Sequence, residues 1–283
     1  MKHRVNITLI LLTVFLLSHI IGLLVINQYL PKETSQGNIV QKELPLNIER
    51  PVVEEKTSYI TIFIIIIIST ILALILMKFN ALRLWKFWFF ISITLTLTIA
   101  LNAFINQYLA LIIGIIVALF KTLKPNVIIN NLAELFIYGG LSAIFVPILN
   151  LFSISILLVL ISVYDFYAVY KSKHMVKLAK FQTKSKVFAG VNIPYKIHEK
   201  GEKKVKIQTA ILGGGDIGFT LFFSGVVLKT FSFEAALITS IVTTLALLGL
   251  FLYSKKGKFY PAMPVLTFGC FVGLVIVKLF ILS

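Results

Sequence analysis

The chain has 283 residues, of which 58% are apolar and 13% are charged, and its mean hydropathy is +0.97. Soluble domains are about 45–50% apolar and about 25% charged, so the composition excludes a water-soluble globular enzyme and a disordered chain. The net charge is +16, but the basic residues do not share one water-facing surface, which argues against a nucleic-acid partner. The single cysteine, Cys270, excludes an intrachain disulfide. These features indicate a polytopic membrane protein.

Nine apolar segments are long enough to be considered as membrane spans, since a spanning helix needs about 20 mostly apolar residues. The first, residues 7–26, lacks the cleavage site of a signal peptide and predicts a retained helix. After a polar loop come the others, at 58–79, 84–105, 108–123, 127–149, 150–170, 208–230, 233–253 and 261–282. The predicted fold class is an all-α bundle of nine transmembrane helices. It divides into six N-terminal helices (1–170), a basic loop (171–207) and three C-terminal helices (208–283).

The distribution of lysine and arginine predicts the orientation, because basic residues concentrate in cytoplasmic loops. With nine spans, 21 of the 27 basic residues fall on one side, eleven of them in the 171–207 loop, and five on the other. Lys278 lies near the end of the last span. We therefore expect a cytoplasmic N-terminus, a cytoplasmic 171–207 loop that binds anionic lipid, and an external C-terminus.

The only two aspartates of the chain, Asp165 and Asp216, both lie inside predicted spans. A carboxylate at the centre of a membrane helix costs about 2.5–3.5 kcal/mol, so such a residue needs a reason. Asp165 is about five residues before the cytoplasmic end of the sixth span, and Asp216 about eight residues after the start of the seventh. This spacing predicts two carboxylates together at similar depth, where they would share one proton. Such a pair can activate water for amide hydrolysis, with a bell-shaped pH profile that belongs to the pair.

Two further features lie at the same level. Glycines at 213, 214 and 215 precede Asp216 and would let a substrate or another backbone lie close to the helix, although they also suit plain helix packing. The last span opens with Pro261-Ala262-Met263-Pro264, and these prolines predict a short irregular backbone that lines a cavity, or simply a helix N-terminus.

These strings resemble the motifs of the presenilin and signal peptide peptidase family of intramembrane aspartyl proteases. Tyr164-Asp165 is similar to its Tyr-Asp motif, Gly213-Gly214-Gly215-Asp216 to its Gly-x-Gly-Asp motif, and Pro261-Ala262-Met263 to its Pro-Ala-Leu motif, with methionine in place of leucine. The number of spans and the order of the motifs match as well. The chain is most similar to the archaeal homologues of presenilin.

The resemblance implies an aspartic endopeptidase that cleaves single-span transmembrane helices, with Asp165 and Asp216 as the catalytic pair. It also implies that Tyr164, the three glycines and Pro261 to Pro264 shape the site. Pro264 and the orientation are similar to the presenilin branch, which implies substrates with an external N-terminus. Neither a metal nor another cofactor is expected, and the expected partners are transmembrane helices and lipid. The expected location is the archaeal plasma membrane.

Other polar residues of the chain receive more modest interpretations. Glu134, in the fifth span, is predicted to join Asn130 and Asn131 in a polar network between helices. The four histidines lie far apart and predict no metal site. The β-branched residues from Val187 to Ile197 are suited to pair with an extended substrate.

Two alternatives stay open at the level of the sequence. An ion or solute transporter would use the intramembrane acids for cation coupling and would yield no peptide products. A prepilin-type peptidase also has a Gly-x-Gly-Asp aspartate, but it lacks the motif at Pro261.

Overall fold

The computed structural model describes residues 5–33, 39–172, 178, 181, 188–198, 205–254 and 260–280. Within them it contains nine α-helices and two short antiparallel hairpins. The helices are α1 (Val5–Tyr29), α2 (Ser58–Lys78), α3 (Leu82–Asn102), α4 (Gln107–Leu123), α5 (Val127–Phe145), α6 (Leu151–Phe166), α7 (Gly214–Thr230), α8 (Phe233–Tyr253) and α9 (Met263–Phe280). The strands are β1 (Lys32–Glu33), β2 (Ile39–Val40), β3 (Gly190–His198) and β4 (Val205–Gly213), paired β1 with β2 and β3 with β4.

In the described part of the chain, six helical segments are long and apolar enough to cross a membrane. They are Val5–Tyr29, Ser58–Lys78, Leu82–Asn102, Val127–Ile148, Leu151–Lys171 and Phe233–Tyr253, with shorter apolar helices at Gln107–Leu123 and Met263–Leu279. Asparagine or serine caps several of these helices: the side chain of Asn106, for example, accepts a hydrogen bond from the amide of Tyr108 at 2.9 Å. Large apolar side chains such as Ile68 on α2 and Ile112 on α4 are exposed, as expected of surfaces that face lipid.

Helix α7 lies at the centre of the bundle and is buried at nearly every position from Ile217 to Leu228. It contacts α1, α5, α6, α8 and α9. Glycines bring some of the surrounding helices together: a Cβ on Gly140 of α5 would lie 1.9 Å from the carbonyl oxygen of Thr96 on α3. Such small residues are typical of membrane helices whose backbones approach closely.

The structure corrects the predicted start of the seventh span. Residues 208–213 are not helical but belong to β4, and α7 begins only at Gly214. Asp216 is therefore the third residue of its helix rather than lying about eight residues inside it. The predicted boundary between residues 207 and 208 falls within β4. Most of the basic 171–207 loop lies outside the described residues.

The other predicted spans agree with helices to within a few residues. Two of them end in a different type of helix: a 3₁₀ segment, Val146–Ile148, follows α5, and a π-helical segment, Tyr167–Lys171, follows α6. The last helix begins at Met263, so Pro261 and Ala262 precede it. Pro264 occupies the first turn of α9, where a residue without an amide hydrogen is tolerated.

At the end of the bundle opposite the aspartates, Lys229 of α7 binds the connection between α5 and α6. Its Nζ donates to the carbonyl oxygens of Pro147 at 2.8 Å and Leu149 at 3.2 Å, and to Glu55 Oε1 at 2.7 Å. The end of α7 and the segment before α2 therefore lie on one side of the bundle, as the alternation of spans predicts.

Replacing Lys229 is expected to cost stability mainly through the two carbonyl groups. Lys229→Met leaves both without this donor and should lower the free energy of unfolding by about 1–2 kcal/mol. Glu55 is 52% exposed, so Glu55→Gln, the matched control, should change it by about 0.5 kcal/mol or less. Thermal unfolding in detergent measures both. Equal effects of the two variants would contradict this assignment.

Candidate active site

Asp165 lies at the end of α6, where the helix passes into its π-helical turn. Its Oδ2 accepts a hydrogen bond from the backbone amide of Met263 at 3.1 Å, and the amide of Ala262 also donates to this carboxylate. Because Met263 is the first residue of α9, its amide has no acceptor within that helix. The prolines thus place the start of α9 where two free backbone amides bind Asp165. This contact joins two of the strings that the sequence singled out.

Asp216 lies in the first turn of α7, with Gly213 as the residue that caps the helix. The Asp216 carboxylate turns back and accepts a hydrogen bond from the amide of Gly213. A Cβ on Gly213 would lie 3.0 Å from Asp216 Oδ2, so a side chain at this position would crowd the carboxylate. The free amides at a helix N-terminus also stabilise a negative charge there.

The two carboxylates lie close enough for the charge of Asp165 to act on Asp216. Both residues are partly exposed, although Ile217, next to Asp216, is fully buried. Tyr164, next to Asp165, is also partly buried. Two carboxylates at one partly open position, each bound by backbone amides, are suited to hold and exchange a proton.

The β3–β4 hairpin fixes the backbone just before Asp216. Gly190 pairs with Gly213 at the end of the ladder, and the amide of Gly214 donates to the carbonyl of Ala189 at 3.2 Å. The hairpin is held to α5 in turn by two side-chain amides. Nδ2 of Asn130 donates to the carbonyl of Gly190 at 3.0 Å, and Nδ2 of Asn131 donates to the carbonyl of Asn192 at 2.9 Å. The segment from Val187 to Ile197 is the one predicted to pair with an extended substrate. From Gly190 onward, one edge of this segment is already paired with β4.

A cavity of about 280 Å³ adjoins the first turn of α7. Its walls are mostly apolar and come from α3, α5 and α7, and they include Gly214, Gly215, Phe219, Tyr138, Glu134 and Thr96. Gly215 leaves this side of the helix open, since the nearest atoms to a Cβ there belong to Phe219 at 3.6 Å. A substrate side chain could occupy this space beside the aspartate.

Glu134 lies in a polar network between helices, as predicted, but its partners are not the two asparagines. Glu134 instead forms an ion pair with Lys121 of α4, and the hydroxyl of Tyr138 donates to its other carboxylate oxygen. Asn130 and Asn131 bind the hairpin, as described above. Lys121, expected in a cytoplasmic loop, is 2% exposed and lies inside the bundle. Hydropathy alone does not predict this pairing, since Lys121 stands near the end of one apolar segment and Glu134 lies inside the next.

His19 of α1 is buried and lies near the turn that carries Asp216. Its Nε2 is 3.1 Å from Thr220 Oγ1, which also lies 2.6 Å from the backbone carbonyl oxygen of Asp216. His3, His174 and the side chain of His198 lie outside the described residues. Among the residues that the structure describes, no group of three metal-binding side chains occurs.

The site thus brings together most of the residues that the sequence predicted. Asp165, Met263 and Ala262 meet at one side, and Asp216 with its three glycines at the other. The place of Tyr138 at the site and the pairing of β3 with β4 were not predicted from the sequence. A signal for Tyr138 was available, because it stands four residues after Glu134 and hence on the same face of a helix.

Comparison with known proteins identifies the family. The chain matches the family described as "Signal-peptide peptidase, presenilin aspartyl protease" over residues 12–282. None of the curated proteins matches it.

The fold also has relatives among solved structures. Two crystal forms of a presenilin family intramembrane aspartate protease, in space groups C222 and P2, superpose on it with TM-scores of 0.62 and 0.63 and identities of 19% and 18%. They cover 95% and 94% of this chain and 97% and 95% of their own. The apolar helices of the chain agree with a multi-pass membrane protein. The chain belongs to the signal peptide peptidase and presenilin family of intramembrane aspartyl proteases, and it is an aspartic-type endopeptidase.

Proposed function

We propose that Asp165 and Asp216 together hydrolyse peptide bonds inside the transmembrane helices of single-span proteins. The observation that carries this proposal is that Asp165, bound by the start of α9, lies close enough to Asp216 in the first turn of α7 for their charges to interact. Both lie at the same end of the bundle as the β3–β4 hairpin. Water can reach a site at the membrane face more readily than one at the bilayer centre.

The chemistry requires one proton shared by the pair. The ionised carboxylate takes a proton from water while the water oxygen bonds to the scissile carbonyl carbon. The protonated carboxyl group gives its proton to the carbonyl oxygen, and a neutral tetrahedral diol results. In the second step the diol returns a proton to a carboxylate, the C–N bond breaks, and the leaving nitrogen receives the other proton. The aspartates recover their starting protonation, and no bond to the enzyme forms.

The neighbouring residues have supporting roles in this proposal. Gly213, Gly214 and Gly215 let the Asp216 carboxylate and an extended substrate lie close to the backbone. Tyr164 directly precedes Asp165 on α6, and the segment from Pro261 to Pro264 presents the amides of Ala262 and Met263 to this aspartate. Methionine at 263 replaces leucine with little change of volume, so this segment is expected to keep its shape.

The membrane arrangement in this proposal has nine spans, a cytoplasmic N-terminus and an external C-terminus. The six N-terminal helices supply Asp165 and the three C-terminal helices supply Asp216. The 21-to-5 distribution of basic residues supports this orientation in the cell membrane. The preferred substrates would have an external N-terminus. Their unwound segment would lie beside the hairpin and the cavity at Gly215.

A cleavage assay in H₂¹⁸O tests the reaction. Purified protein in lipid is mixed with a single-span peptide, and the products are identified by mass spectrometry. We expect cuts within the apolar segment and one ¹⁸O in the new carboxyl group. Hydroxylamine should trap no hydroxamate, because no acyl-enzyme forms. A hydroxamate product would contradict the two-aspartate mechanism.

Substrate orientation is tested with two peptides that share one transmembrane sequence but insert in opposite directions. Faster cleavage of the peptide with an external N-terminus supports the proposed topology. Cation flux without peptide products, across several substrates, would favour a transporter.

A further inference from the structure

Three buried polar side chains of α4 and α5 form a chain that leads to the first turn of α7. Lys121, Glu134 and Tyr138 are 2%, 1% and 4% exposed. Lys121 pairs with one carboxylate oxygen of Glu134, and the Tyr138 hydroxyl donates to the other. Lys121 Nζ also lies 5.6 Å from the ring centroid of Phe89 on α3. The carboxylate of Glu134 is therefore held between a cation and a hydroxyl.

A buried ion pair of this kind has no clear advantage for stability. Removing two charges from water costs about as much as their attraction returns, and well-packed apolar residues often serve as well or better. Inside a membrane protein, ionisable residues are more often tied to function. The contacts of this pair therefore bear on its function.

The contact is with the glycine two residues before Asp216. A Cβ on Gly214 would lie 2.7 Å from the Tyr138 hydroxyl oxygen and 3.1 Å from its Cε1, and a Cβ on Gly218 would lie 3.6 Å from its Cδ1. The Tyr138 side chain thus runs along one face of α7 over a full turn.

The cavity that Tyr138 and Glu134 line leaves space beside this turn. The cavity of about 280 Å³ reaches Gly214 and Gly215, so dense packing does not fix the turn there. The Tyr138 hydroxyl is held by Glu134 and cannot swing into that space without losing its hydrogen bond. The hydroxyl is therefore held in place and limits how closely the backbone of Gly214 can approach it.

We propose that Tyr138 is a positioning residue for the protease reaction: the Lys121–Glu134 pair holds its hydroxyl against Gly214, and this contact sets the place of Asp216. The inference rests on the proposed catalytic role of Asp216. Tyr138 does not touch the reacting atoms. A misplacement of about 1 Å at a catalytic group can cost about 100-fold in rate, so loss of the hydroxyl should affect kcat.

A double-mutant cycle between Tyr138 and Gly214 tests the contact, with kcat and KM measured on one single-span peptide. Tyr138→Phe should lower kcat about tenfold and leave KM within about twofold. Gly214→Ala should lower kcat further, because its methyl group meets the hydroxyl. In the Tyr138→Phe background the alanine should cost less, since the 2.7 Å contact is gone. Unchanged kcat in Tyr138→Phe, or effects that simply multiply, would overturn the proposal.

Tyr29→Phe is the matched control, because Tyr29 is also buried and its hydroxyl donates to the carbonyl of Ile99 at 2.7 Å, far along the chain from the aspartates. It should leave kcat unchanged. Thermal midpoints of both variants separate a folding defect from a positioning defect, and an equal fall of kcat in both would count against the proposal.

A second variant examines the ion pair and keeps the core filled. Lys121→Met with Glu134→Met should preserve the thermal midpoint but lower kcat as Tyr138→Phe does, and adding Tyr138→Phe should then change nothing more. Full activity in this variant would overturn the role of the pair. Activity that survives Asp216→Asn would instead overturn the proposed function itself, whatever Tyr138 does.

Discussion

Asp165→Asn and Asp216→Asn are each expected to lower the rate of peptide cleavage by about 10³-fold or more. Asparagine keeps the size of the side chain but can neither take a proton from water nor give one to the carbonyl oxygen. In the proposed mechanism one carboxylate takes a proton from water while the other gives its proton to the carbonyl oxygen, so losing either partner removes the reaction. The double variant should therefore be no slower than the single ones, as is usual for residues that act as one unit.

The measurement is single-turnover cleavage of a single-span peptide by purified variants in lipid. Glu234→Gln, in the exposed first turn of α8, is the matched control and should keep full activity. Thermal unfolding verifies that each asparagine variant is folded. The two-aspartate assignment fails if either single variant retains more than a small percentage of the wild-type rate.

The contact between Asp165 and Met263 was accessible from the sequence, and the physical reason is clear. An intramembrane carboxylate is costly, and prolines at the start of a helix leave amides without acceptors, so each feature requires a partner. Placing both at one membrane face brings them within reach of each other.

The start of α7 could not be found in this way. Residues 208–213 are Gln-Thr-Ala-Ile-Leu-Gly and continue into an apolar helix, so hydropathy does not separate strand from span. Residues 208–213 form a strand because they pair with β3. The part of β3 that pairs with them contains apolar and β-branched residues and lies about 20 residues earlier in the chain. Strand pairing of this kind depends on a segment elsewhere in the chain, which a local pattern does not contain.

The pairing of Lys121 with Glu134 is a second contact that a local sequence pattern does not predict. Lys121 stands near the end of an apolar segment, where a charged side chain ordinarily reaches the membrane surface, and Glu134 lies inside the next segment. Only the packing of α4 and α5 brings the two inside the bundle and together. A count of basic residues in loops therefore includes Lys121, although the side chain is buried.

Gly190→Ala is expected to lower kcat by about 100-fold through the backbone alone. Gly190 has a φ of 143°, a conformation that residues with a side chain rarely adopt and that costs of order 1–3 kcal/mol. Its Cβ would also lie 2.4 Å from the carbonyl oxygen of Leu212 and 3.0 Å from the amide nitrogen of Gly214. Relief of these contacts must separate the ends of β3 and β4 next to Asp216.

Such a shift should reach the active site because Gly190 pairs with Gly213, the residue whose amide binds the Asp216 carboxylate. A displacement of about 1 Å there is enough for the expected loss, and KM should change less, since the shift misplaces a group that acts on the reacting bond. Gly249→Ala is the matched control: no atom lies within 4 Å of its Cβ, so activity should be unchanged and helix stability equal or better. If Gly190→Ala retained wild-type kcat with an intact fold, the hairpin would have no part in positioning Asp216. A loss of kcat with an unchanged thermal midpoint would show that the hairpin positions Asp216.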